Sequence, residues 1–119
     1  MDETKILVNA IVEALQEKKG KKIVTMDLSE LEGSICRYFI IVQGNTPIQV
    51  SALSDSVWDL VYEKLHEKPM GAIGIKEAQW IAMDYGTVIL HIFIPEIRDY
   101  YNLENLWADA NITEIPDIL

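Results

Sequence analysis

The stretch YFIIVQGNTPIQV, Tyr38 to Val50, carries a strand, a turn and the start of a helix in immediate succession. Its first half, Tyr38 to Gly44, is an almost continuous apolar run. That pattern belongs to a strand covered on both faces, so this strand is expected at the centre of its sheet. Thr46, followed by Pro47 and Gln49, then matches a capping box with proline at the first helical position. A glycine-containing loop at a helix start can cradle phosphate on its free amides. Here the cap gives those amides a local use, and neither a GxGxxG nor a GxxxxGK spacing accompanies Gly44. A central strand that runs straight into a capped helix is the first half of a crossover, the connection that parallel strands require.

Outward from this stretch, the helix continues through Val50, Leu53, Val57, Leu60, Val61 and Leu65, an apolar stripe at helical spacing. Asp55, Asp59 and Glu63 line its other side and read as a solvated row rather than a metal site. Upstream, Ile6, Leu7, Ala10, Ile11, Ala14 and Leu15 predict an amphipathic helix ending at Gly20. Lys22 to Leu28 suits a strand, followed by a polar loop through Gly33 and Ser34. Downstream, Ala72 to Ile75 predicts a brief strand. QWIAMD and TVILHIFI then flank Tyr85 and Gly86, which read as a two-residue hairpin with Gly86 at positive φ and Tyr85 exposed at the tip. Pro95 to Trp107 predicts short helical turns packed on the sheet, and the polar, proline-containing remainder predicts a loosely held tail. The expected fold class is α/β. It comprises a single domain over 1–109 with a mixed sheet of about five strands flanked by helices, and a tail over 110–119.

Half of the 119 residues are hydrophobic, enough for one continuous core and too few for two. The lone Cys36 excludes an internal disulfide, and the first residues lack the basic-then-apolar pattern of an export signal, so a cytoplasmic location is expected. No apolar run approaches the roughly 20 residues of a membrane helix. A net charge of −9 repels a phosphate backbone, which argues for little direct nucleic-acid binding and for a basic protein partner instead. Lys18, Lys19, Lys21 and Lys22 read as a solvated helix end, where cations face the C-terminal dipole.

Chemistry is hard to find in the sequence. Two histidines and one cysteine carry no nucleophile signature and too few ligands for zinc. His66 suits a helix C-terminus, and Cys36 reads as a small buried residue. His91 alternates with Ile89 and Phe93 and shares their face, as a satisfied histidine beside the core or as a group that orients a binding surface. What stands out is a concentration of Trp80, Tyr85, Tyr100, Tyr101 and Trp107 with Asp84, Arg98 and Glu104, residue types common at interface hot spots.

Several of these residues carry a resemblance. YFIIVQGNTPIQV, with Gln49, resembles the strand-glycine-helix segment of the ribosomal silencing factors, the Iojap family. WIAMDYGTVILHIF followed by Arg98, Tyr101 to Glu104, Leu106 and Trp107 is similar to that family's most specific signature, and Gly74 falls where the family tends to have glycine. The similarity extends to about Asp109. It implies a topology like that of nucleotidyltransferases without their catalytic carboxylates, no enzymatic activity, no cofactor and no metal. It also implies a partner: ribosomal protein fourteen on the intersubunit face of the large ribosomal subunit, where the chain would block the small subunit under nutrient limitation. Trp80, Asp84, Tyr85, Arg98, Tyr101, Glu104 and Trp107 become the partner surface or its immediate support, with Gly44, Gln49, Gly74, Gly86 and His91 as structural support. Arg37 departs from the family, which usually has an acidic residue there. A homodimeric interaction module and a nucleotidyltransferase-type enzyme with carboxylates converging beside Gly44 stay open as alternatives.

Overall fold

The computed structural model describes residues 3–31, 33 and 36–118. Ser34, in the expected polar loop, lies outside them. The order is α1 (Glu3–Glu17), β1 (Lys21–Asp27), β2 (Tyr38–Gln43), α2 (Pro47–Leu65), β3 (Gly71–Ile73), β4 (Trp80–Asp84), β5 (Val88–Phe93), α3 (Pro95–Tyr101), α4 (Leu103–Leu106) and β6 (Asn111–Ile115). The strands form one mixed sheet in the order β3-β4-β5-β2-β1-β6. β2 and β5 are parallel, Tyr38 opposite Val88 through Gln43 opposite Phe93, and the other pairs are antiparallel.

β2 is buried from Tyr38 to Val42, which explains its unbroken apolar run: each face of this strand meets a different layer. On one face, Leu7, Ile11 and Leu15 of α1 and Val50, Leu53 and Val57 of α2 pack on Ile40, Val42, Ile81, Met83, Leu90 and Ile92. On the other, Ile97, Leu103 and Trp107 lie over Val24, Met26, Phe39, Ile41 and Phe93. The Thr46 half of the capping box forms as expected, while the Gln49 side chain reaches one residue further back, to Asn45. Thr46 Oγ1 accepts from the Gln49 amide at 3.2 Å, and Gln49 Oε1 accepts from the Asn45 amide at 2.8 Å.

The expected tail behaves differently from its composition. Asn111 to Ile115 pair antiparallel with Asp27 to Ile23 as the outermost strand, so the sheet has six strands where about five were expected. Asp117 then accepts a hydrogen bond from the Lys22 amide at 2.9 Å. Lys22 sits at φ 52, where the β1 ladder shifts register between Lys21 and Val24.

The β4–β5 connection also turns one residue later than expected. Tyr85 N–H donates to the Val88 carbonyl at 2.9 Å, which keeps Tyr85 in strand register with the turn centred on Gly86 and Thr87. Tyr85 therefore points to the same face as Ile81 and Met83, and it is buried at 6% exposure instead of exposed at a tip. Among the described residues, no helix is long and apolar enough to cross a membrane.

Candidate functional site

The second face of the sheet, under α3 and α4, carries most of the residues singled out in the sequence. Trp80 opens β4 on the same side as His91 and Phe93 of β5 and Phe39 of β2, because alternate residues of neighbouring strands share a face. Rings touch throughout. His91 meets Phe39 edge-on at 4.9 Å and stacks on Phe93 at 5.9 Å, and Phe39 in turn meets Trp107 edge-on at 5.9 Å. Trp80 lies 5.0 Å from Phe93 and 4.7 Å from Tyr101, whose ring meets Tyr100 edge-on at 5.0 Å. The cluster thus runs from the buried imidazole out to solvent, where Tyr100 is 80% exposed, Leu106 70% and Tyr101 48%. Single exposed apolar residues are ordinary, whereas several on two adjacent short helices make a patch of the kind that marks an interaction site.

His91 anchors this face. Its Nδ1 accepts from the Trp80 indole N–H at 3.1 Å. Burial pushes its pKa down to about 4, so the imidazole is neutral at neutral pH. A neutral ring that accepts at Nδ1 carries its proton on Nε2, and that atom is buried without a hydrogen-bond partner among the described residues. The ring is therefore poorly placed to shuttle protons.

Arg98 holds the neighbouring corner. It is 6% exposed and makes a two-point contact with Glu104, Nη2 to Oε2 at 3.1 Å and Nε to Oε1 at 3.4 Å. Its Nη1 also donates to the Lys22 carbonyl at 2.7 Å and to Gln43 Oε1 at 3.3 Å. One guanidinium thus ties α3, α4, the end of β2 and the irregular start of β1 together, and this rigid fork is why arginine suits the place. Beside it, an open groove of about 620 Å³ runs between Lys22, Gln43, Arg98, Glu104, Glu114 and Asp117.

The remaining candidates divide. Asp84 Oδ1 accepts from the Gly86 amide at 2.7 Å, fixing the hairpin at the far end of β4 from Trp80, while Tyr85 faces the opposite layer. Burial raises the Tyr85 phenol well above its usual range. Gly44 donates to the Phe93 carbonyl at 3.0 Å, joining β2 to the end of β5. Gly74, at φ 82, passes so close to the Trp80 carbonyl that a Cβ there would lie 1.9 Å from the oxygen, so only glycine fits beneath the strand that presents Trp80. Trp80, Tyr101, Glu104 and Trp107 are thus assembled with Arg98 and His91 on one face, and Asp84, Tyr85 and Gly86 stand apart. Sequence reasoning left out Phe39, and it flagged Tyr100 among the aromatics and Leu106 in the signature without assigning either to the partner surface. The signal for Phe39 was its alternation with Ile41 on β2, and for Tyr100 and Leu106 it was the surplus of apolar residues in a segment too short to bury them all. Among the described residues, no three His, Cys, Asp or Glu side chains converge as metal ligands.

Comparison with known proteins follows the same lines. A family model described as ribosomal silencing factor during starvation matches residues 1–119. The ribosomal silencing factor of Chromobacterium violaceum is 35% identical over 97 residues, covering 82% of this chain and 78% of that protein. That of Bacillus subtilis is 32% identical over 112 residues, covering 93% and 92%. A crystal structure of a protein from Chromobacterium violaceum matches with a TM-score of 0.84 at 34% identity, over 90% of this chain and 88% of that one. With the likeness running through both sequence and backbone, the chain belongs to the ribosomal silencing factor family.

Proposed function

We propose that this protein represses translation in the cytoplasm by docking on ribosomal protein fourteen at the intersubunit face of the large ribosomal subunit, where it sterically blocks the small subunit. Family membership over residues 1–119 is the observation that carries this reading. The reading is supported by Trp80, Tyr100, Tyr101 and Leu106, which place aromatic and apolar side chains at the surface of one layer. A chain of net charge −9 is repelled by ribosomal RNA and attracted to a basic ribosomal protein, which favours protein over RNA as the direct contact. Aromatic faces exposed beside Glu96 and Asp99 on α3 suit the lysine and arginine side chains of such a partner. The action is occupation of a surface, with no reaction catalysed.

The test is sedimentation of the purified protein with separated ribosomal subunits at moderate and high salt, comparing wild type with Tyr101→Ala and Tyr62→Ala. Tyr62 is similarly exposed but lies on α2, in the opposite layer. Co-migration with the large subunit alone, weakened by Tyr101→Ala and not by Tyr62→Ala, with fewer joined ribosomes, is the expected result. A wild-type protein that migrates free of the large subunit at both salt concentrations overturns the reading.

A further inference from the structure

Trp80 is only half buried, so its indole N–H could be served by water. It donates instead to the Nδ1 of His91, a side chain 8% exposed. That arrangement has a cost, because the Nε2–H of the same ring is left buried and unmet among the described residues. Ile89 and Phe93 occupy the neighbouring positions on this face of β5, and a third apolar side chain would pack there without stranding a donor. A polar group kept in an apolar register at such a cost points to a task beyond packing.

The geometry shows what the imidazole achieves. A tryptophan ring can turn about its second side-chain torsion, and a hydrogen bond from its single N–H selects one orientation. In that orientation the indole lies 5.0 Å from Phe93 and 4.7 Å from Tyr101. Tyr101 ends α3, and its own partner Tyr100 is the most exposed aromatic of this layer. The contacts form one series from a fixed imidazole to two surface rings.

We infer that His91 is the positioning residue of the docking face: its Nδ1 locks the Trp80 indole, and Trp80 in turn seats Tyr101, so the aromatic platform is set before the partner arrives. A platform ordered in advance loses less side-chain freedom on binding than loose rings do. The role in docking rests on the function proposed above, whereas the locking of Trp80 stands on the geometry alone.

The experiment uses the ¹⁵N-labelled full chain and follows the indole N–H signals of Trp58, Trp80 and Trp107, with Trp80 assigned through Trp80→Phe. His91→Phe keeps an aromatic ring and removes the acceptor, while His91→Asn offers an amide oxygen close to where Nδ1 stands. In His91→Phe the Trp80 indole proton should exchange with solvent about tenfold faster, and large-subunit affinity should fall about tenfold, the scale of one partly buried hydrogen bond. His91→Asn should restore most of both. Trp80→Phe should weaken binding as much as His91→Phe does, and the double variant should add little, since the two residues act as one unit. A wild-type indole proton that exchanges as fast as in His91→Phe overturns the inference, as does His91→Phe binding like wild type while its indole is unprotected. If His91→Phe fails to fold, Trp80→Phe decides by binding: a loss of about tenfold supports the platform, and wild-type affinity overturns it. If wild type itself does not bind the large subunit, the proposed function falls and indole exchange alone decides: protection supports the lock, and fast exchange refutes it.

Discussion

Acidification should destabilise this fold through His91 in a measurable way. Burial alone lowers the ring's pKa from 6.5 to about 4, and its surroundings are the aromatic side chains of Phe39, Trp80 and Phe93. Above pH 6.5 the ring is neutral in folded and unfolded chains alike, so its ionisation contributes nothing to the difference between them. As the pH falls below 6.5, the unfolded chain binds a proton that the folded chain refuses, and stability drops. The loss levels off below about pH 4, where the folded ring also protonates. One pH unit corresponds to about 1.36 kcal/mol, so the full loss is about 3 kcal/mol and the loss reached at pH 5 about 2 kcal/mol. Urea denaturation of wild type and His91→Phe at about pH 7.5 and about pH 5 isolates this contribution, because every carboxylate and His66 are common to both chains. The stability of wild type relative to the variant should fall by about 2 kcal/mol across that interval. A difference that stays flat to within about 0.5 kcal/mol would mean that the folded ring accepts protons as readily as the unfolded one, and would refute the buried neutral imidazole.

Gly74→Ala should cost about 3 kcal/mol in a thermal or urea melt, since a Cβ at φ 82 and 1.9 Å from the Trp80 carbonyl oxygen forces the backbone to move. Arg98→Met keeps the aliphatic stem and strands Glu104, Gln43 and the Lys22 carbonyl, so a loss of about 3 kcal/mol is expected by urea denaturation; an unchanged midpoint would show that water replaces the guanidinium freely. Cys36, buried and with its thiol pushed up to about 11, should resist alkylation in the native chain at mildly alkaline pH and react promptly in urea, as followed by mass spectrometry.

The parts of the fold that were legible are those where local chemistry and tertiary environment agree. The apolar run of Tyr38 to Val42 is buried on both faces, the Thr46 and Gln49 cap closes on itself, and His91 shares a face with Phe93 because strands alternate. The illegible parts depend on distant partners. Asn111 to Ile115 are mostly exposed, with no alternation to announce a strand, and what makes them one is the open edge of β1 far away in sequence. Tyr85 went inward because the turn fell one residue late, and a shift of one exchanges the two faces of a strand. Within the candidate site, residue types flagged the aromatic face, but the division of labour was invisible. Nothing in the spacing of Arg98 and Glu104 says that they close on each other around the start of β1.

The pairing of β6 with β1 also bears on how the chain is made. Ile23 waits for Ile115, so the outer edge of β1 has no neighbour until the other strands and all of α1 to α4 have left the ribosome. A nascent chain carrying α1 to α4 can bury both apolar layers while the outer margin of β1 is still an open template for strands of other chains. β6, the last of the six strands to emerge, then replaces the seven-residue margin of β1 with a five-residue edge that carries Glu114, a shorter and charged template for foreign strands.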